Sequence, residues 1–89
     1  MAQVYKNTES EQKAIDNKAW WHPVFDGYGL MMDVAIKKRG LTLDQFIARG
    51  TQAWLDRYAD DMYVPHLTVE QFTEYATSRY NDMKERGWY

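Results

Sequence analysis

The pattern of apolar and polar residues along the chain repeats most clearly at two predicted helix starts. The segment 41–46, Leu-Thr-Leu-Asp-Gln-Phe, recurs at 67–72 as Leu-Thr-Val-Glu-Gln-Phe. In each copy the threonine and the glutamine can form a capping box, and the leucine and the phenylalanine can form a hydrophobic staple. The pattern therefore predicts helices that begin just after Thr42 and Thr68.

Apolar residues continue behind both starts at helical spacing. They predict a third helix over 43–62 and a fourth over 69–86. Gly50 and Ala76 are small residues at matching positions of the two copies, so we expect the helices to approach closely as an antiparallel hairpin. The expected stripes are Leu43, Phe46, Ile47, Gly50, Trp54 and Tyr58 on one helix, and Val69, Phe72, Ala76, Tyr80 and Met83 on the other.

Two further helices are predicted in the N-terminal half. Thr8 and Glu11 form another capping-box pattern, which favours a helix over 9–19. Its apolar face is thin, so its stability must come from docking. Residues 28–38 are apolar nearly all round, which is typical of a helix that is enclosed or that pairs with a second copy.

These elements predict an all-α fold, a small irregular three- to four-helix bundle. Gly40 and Gly87 fit the left-handed position just past a helix end. Residues 1–7 are expected to form a flexible arm and residues 8–89 a single helical domain. The expected aromatic core is Phe25, Phe46, Trp54, Tyr58, Phe72 and Tyr80.

Composition and charge narrow the function classes. The 89-residue chain has no cysteine, so a disulfide framework and a cysteine-based zinc or redox site are excluded. Its net charge of −2 is too balanced for a strongly basic nucleic-acid binder. The polar N-terminus and the short apolar runs indicate a cytoplasmic protein with no membrane partner.

Motifs for catalysis or metal binding are missing from the sequence. The two histidines, His22 and His66, each lie beside a proline in a predicted connection. Neither belongs to a metal-binding spacing, and no serine lies in a nucleophile elbow. We therefore expect no catalytic residue, no metal and no cofactor.

Basic residues near the second helix end support an alternative interpretation. Lys37, Lys38 and Arg39 precede the Leu-Thr start, and Arg49 follows it, as in a nucleic-acid-associated helical domain. Cations at a helix C-terminus also have a structural cause, because they complement the helix dipole. Nucleic acid is accordingly the second choice of partner.

Aromatic residues outside the predicted stripes are the strongest functional signal, because interface cores are enriched in aromatics. Trp20 or Trp21 could instead close one end of the bundle, and that alternative stays open. The predicted partner-binding residues are Trp20, Trp21, His22, Tyr63, His66, Trp88 and Tyr89.

The sequence therefore favours a non-enzymatic module that binds another protein. Small, cysteine-free, aromatic-rich helical chains of this kind resemble phage-encoded accessory proteins that block a host enzyme or defence system. The resemblance implies an inhibitor or adaptor that acts on a host protein complex in the host cytoplasm. A self-assembling structural subunit, with a homodimer through helix 28–38, is the further alternative.

Overall fold

The computed structural model describes residues 6–54 and 65–89, without the side chains of residues 53 and 54. Its regular structure is helical, and no strand occurs among these residues. The helices pack as a compact globule, so the predicted all-α bundle is confirmed. The helices are α1 (Glu9–Asp16), α2 (Asp26–Asp33), α3 (Leu43–Arg49) and α4 (Val69–Glu85).

Wider or tighter turns extend two of these helices. A 3-10 turn, Pro23–Phe25, leads directly into α2. The π-helical turns Val34–Lys38 and Gly50–Trp54 continue α2 and α3. Helix α2 therefore begins slightly earlier than predicted, while the C-terminal part of the predicted helix 43–62 lies outside the described residues.

All three predicted capping boxes are present. The hydroxyl oxygens of Thr8, Thr42 and Thr68 each accept from the backbone N–H three residues on, and the side chain there accepts in return from the threonine N–H. Each box satisfies two backbone donors that the first helical turn leaves unpaired. Local sequence thus determines where three of the helices begin.

Helix ends follow the predicted glycines. Gly40 has a φ of 70° and Gly87 a φ of 82°, both left-handed. After Gly87, the Trp88 N–H donates to the Met83 carbonyl at 2.8 Å, as in a Schellman ending. Helix α1 stops earlier than predicted, because Lys18 adopts a left-handed φ of 54° and turns the chain away.

Aromatic rings from α2, α3 and α4 form the centre of the core. Phe46 and Phe72, the predicted pair from the two repeat copies, are both fully buried, with ring centroids 5.6 Å apart. Trp54 and Tyr58, which were also predicted in the core, fall outside the described side chains. Tyr80 is only half-buried, since its ring stacks on Tyr89 near the C-terminus.

Two buried tyrosines that the stripes did not predict connect the helices to the loops. Tyr75 is fully buried, and its hydroxyl donates to the Phe25 carbonyl at 3.2 Å. The Tyr28 hydroxyl donates to the Pro65 carbonyl at 2.8 Å. Both hydroxyls thus satisfy loop carbonyls inside an apolar core.

Candidate protein-binding groove

The adjacent residues Trp20 and Trp21 have opposite environments. Trp20 is buried, and its ring meets those of Phe25 and Tyr75 edge-on, at centroid distances of 5.1 and 5.5 Å. Trp21 is 83% exposed. Trp20 therefore belongs to the core, as in the alternative that the sequence left open, and it offers little surface to a partner.

His22 has a structural role beside this pair. Its imidazole Nδ1 accepts from the Val24 N–H at 3.3 Å and caps the 3-10 turn that begins at Pro23. The side chain is half-buried. The cap stabilises the turn after the two tryptophans, so His22 helps to position Trp21 on the surface.

A groove with a volume of about 610 Å³ lies beside Trp21, between the α1–α2 connection and α4. We call it the Trp21 groove. Apolar surface comes from the two tryptophans and Met83, and charged residues of both signs surround it. Its lining residues are Lys18, Trp20, Trp21, Glu74, Ser78, Arg79, Asp82, Met83 and Arg86.

Four of the charged residues that line the groove form two ion pairs. Lys18 Nζ lies 2.9 Å from Glu74 Oε1, and Arg86 Nε lies 3.3 Å from Asp82 Oδ2. All four side chains are between about two-fifths and two-thirds exposed. Exposed pairs of this kind contribute little to stability, so a partner could replace either member at little cost.

Arg79 connects the Trp21 groove to the C-terminus. Its guanidinium lies against the backbone of α2, where a Cβ at Gly29 would be 2.7 Å from Arg79 Cζ. Its Nη2 is 3.8 Å from Asp33 Oδ2. Asp33 in turn accepts a short hydrogen bond from the Tyr89 hydroxyl. Because Gly29 has no side chain, Arg79 can line the Trp21 groove and also approach Asp33, which contacts the C-terminal Tyr89.

The two C-terminal aromatics pack against this network. Tyr89 stacks on Tyr80, with centroids 5.7 Å apart. Burial, followed by the hydrogen bond to Asp33, raises the pKa of the Tyr89 hydroxyl above its usual range. Trp88 is 55% exposed and lies below the Lys37 ammonium group at 5.2 Å. Tyr89 is thus a structural contact, whereas Trp88 keeps an exposed face.

His66 lies in a separate surface depression, which α1 and residues 6–8 also line. The Asn7 side chain holds its backbone from both sides: Oδ1 accepts from the His66 N–H at 2.7 Å, and Nδ2 donates to the His66 carbonyl at 3.0 Å. The last residue of the predicted arm is therefore attached to the domain. Tyr63, the remaining predicted partner-binding residue, lies outside the described residues.

The basic residues of the alternative interpretation are all exposed. Lys37 and Lys38 lie in the π-helical turn, Arg39 follows it, and Arg49 ends α3. Lys37 is engaged by the Trp88 ring. Nucleic-acid binding through these residues stays a prediction.

The described part of the chain offers no metal-binding group of three or more histidine, aspartate or glutamate residues. Within residues 6–54 and 65–89, every helix is too short or too polar to cross a bilayer. Neither histidine is paired with a carboxylate by any hydrogen bond or ion pair described above.

The sequence prediction included Trp21 but not the charged residues of the groove. Glu74, Ser78, Asp82 and Arg86 recur at four-residue spacing on α4, which places them along one side of the helix. That spacing was readable from the sequence. What it could not indicate was that the chain around Lys18 turns back toward this side.

Comparisons of the chain with protein-family models, with curated proteins and with solved structures find no match. What the chain binds is therefore inferred from its own residues.

Proposed function

We propose that this chain is a non-enzymatic protein-binding module whose partner occupies the Trp21 groove. The observation that carries the proposal is the 83% exposure of Trp21 beside a groove with charged residues of both signs. A tryptophan side chain left in water forfeits a large burial energy, which a partner's surface could supply. Aromatic anchors of this kind are enriched among interface hot spots.

The surroundings of Trp21 resemble the arrangement found at protein interfaces. Trp21 and Met83 supply apolar surface, while Lys18, Glu74 and Arg86 supply charged side chains around it. The weak, exposed ion pairs of the rim can re-pair with charges of a partner. An inhibitor or adaptor that acts on a protein complex would use such a surface to hold its target.

The contacts of the two histidines are compatible with a binding module. His22 uses its imidazole as a helix cap, and the His66 backbone is held by Asn7 on a different surface. No nucleophile lies within hydrogen-bond distance of either imidazole in the contacts described. A non-enzymatic role requires only the surface itself.

Affinity capture from cells of the native host tests the proposal, with each captured protein then purified and titrated by calorimetry. Wild type should bind one target, and Trp21→Ala should weaken that binding about 30-fold or more, the usual effect of removing an aromatic hot spot. Val69→Ala is the matched control, because Val69 is another exposed apolar residue, 51% exposed, outside the groove. Equal binding by wild type and Trp21→Ala would contradict the proposal, as would binding of nucleic acid alone.

A further inference from the structure

The outer side of α2 carries apolar side chains that no described element covers. Leu30 is 70% exposed and Val34 is 37% exposed. They are four residues apart and lie opposite the buried residues Tyr28, Met32 and Ala35. Single exposed apolar residues are ordinary, but Leu30 and Val34 are neighbours on one helix face and form the centre of a surface.

Charged residues of opposite sign lie on either side of this apolar pair. Asp26 precedes Leu30 by four residues, and Lys38 follows Val34 by four. Both are exposed. Four-residue steps drift around an α-helix, but α2 ends in a π-helical turn, closed by the Arg39 N–H on the Val34 carbonyl at 3.0 Å. The wider turn offsets the drift and keeps Lys38 in line with Val34.

We infer that this face, Asp26–Leu30–Val34–Lys38, binds a second copy of the same chain as an antiparallel helix pair. In such a pair, a two-fold axis at the level of position 32 along the helix places Leu30 of one copy opposite Val34 of the other. The same axis places Asp26 of each copy opposite Lys38 of the other, so the interface contains two such ion pairs. A two-fold interface needs a self-complementary surface, and the order acid, apolar, apolar, base fulfils that condition.

Two neighbouring residues fit the same arrangement. At the basic end of the face, the ammonium group of Lys37 lies over the exposed ring of Trp88. The residue that opposes Lys37 across the axis is Gly27, which has no side chain and leaves room for that ring. The inference does not depend on the Trp21 groove, which lies between the α1–α2 connection and α4.

A single helix face is smaller than a standard interface of about 1,600 Å², so the dimer should be weak and appear at roughly 0.1–1 mM chain. Sedimentation equilibrium of the full chain at low salt measures it. Leu30→Ser removes apolar area from an exposed position and should raise the dissociation constant about tenfold.

Exchanging the charges of Asp26 and Lys38 tests whether these two residues oppose each other in the dimer. Asp26→Lys or Lys38→Asp alone should raise the dissociation constant about tenfold, because each places like charges opposite each other. The double variant Asp26→Lys/Lys38→Asp restores opposite charges across the axis and should return to within about threefold of wild type. Glu85→Lys changes the net charge as Asp26→Lys does, at an exposed residue of α4 that is not part of this face, and should have no effect.

Several results would overturn the inference. A wild-type chain that stays monomeric throughout the concentration range has no such interface. A double variant as weak as either single variant would mean that Asp26 and Lys38 do not oppose each other. Equal weakening by Glu85→Lys would mean that total charge, and not this face, controls the association. Circular dichroism of each variant confirms that the helices are intact.

Discussion

The ring of Phe72 occupies the space that a side chain at Gly50 would need. A Cβ built on Gly50 would lie 2.3 Å from Phe72 Cε1 and 2.5 Å from Cζ. Phe72 is fully buried and packs against Phe46 and Tyr28, so its ring has little room to move. The close approach of α3 and α4, which the small residues of the repeat predicted, therefore depends on this glycine.

Gly50→Ala should consequently destabilise the fold. Alanine gains about 1 kcal/mol of helix propensity over glycine, but overpacking of a rigid core costs about 1–3 kcal/mol. We expect a net loss of up to about 2 kcal/mol in the free energy of unfolding, measured by urea denaturation. Gly29→Ala is the matched control, since its Cβ would meet the guanidinium of Arg79, at the far end of a flexible side chain, and not a buried ring. A Gly50→Ala variant as stable as Gly29→Ala would show that Phe72 can move aside.

The buried tyrosine hydroxyls should contribute to stability as hydrogen-bond donors. Tyr75→Phe removes the donor for the Phe25 carbonyl and keeps the ring, so the buried carbonyl loses its partner. The expected loss is about 1–2 kcal/mol in the free energy of unfolding at neutral pH. Tyr80→Phe is the control, because Tyr80 is only half-buried and keeps its stacking on Tyr89. Equal effects of the two substitutions would mean that the hydrogen bond from Tyr75 to the Phe25 carbonyl stabilises the fold no more than a half-buried hydroxyl does.

Stability should also fall in alkaline solution. Burial raises the pKa of the Tyr75 hydroxyl above its unfolded value near 10. The folded state therefore keeps a proton that the unfolded state releases, so the stabilisation is complete below pH 10 and is lost as the pH rises beyond it. The slope from Tyr75 alone should approach about −1.4 kcal/mol per pH unit once the pH lies about one unit above 10.

Urea denaturation at a series of pH values between 8 and about 11 measures this slope. Tyr75→Phe has no proton to release at this position, so its stability should fall less steeply than that of wild type. Tyr89→Phe should also flatten the curve, because burial and the Asp33 hydrogen bond raise the pKa of Tyr89. If the Tyr75→Phe curve ran parallel to the wild-type curve, the pKa of Tyr75 would not be raised by folding.

Much of the scaffold could be predicted from the sequence, because the signals concerned are local. The capping boxes at Thr8, Thr42 and Thr68 need only residues three positions apart. The same holds for the left-handed glycines at 40 and 87. These features depend on short-range sterics and hydrogen bonding, which do not change with the packing of the rest of the chain.

The face that a helix buries was less predictable. Tyr75 lies beside Ala76 on α4 and was not part of the predicted apolar stripe, yet it is fully buried. Helix α4 contacts Trp20 and Phe25 from the α1–α2 connection on one flank, as well as Phe46 from α3. A helix with neighbours on two flanks buries a wider stripe than a single periodicity indicates.

The environments of Trp20 and Trp21 could not be distinguished from the sequence either. Two consecutive residues after a left-handed turn at Lys18 follow no helical or strand periodicity. Their orientation is decided by long-range contacts, such as the packing of Trp20 on Tyr75. Arg79 was missed for a related reason, since its position depends on the space that Gly29 leaves on a different helix.

The different roles of Trp20 and Trp21 are tested most directly by the free energies of unfolding of Trp20→Ala and Trp21→Ala. Trp20 fills the core, so its removal should cost about 3–5 kcal/mol, and that variant should be largely unfolded if the wild type is marginally stable. Trp21 contributes an exposed side chain to the groove, so Trp21→Ala should change stability by less than about 0.5 kcal/mol. A loss on Trp21→Ala that approaches the loss on Trp20→Ala would contradict the account, because Trp21 would then belong to the core.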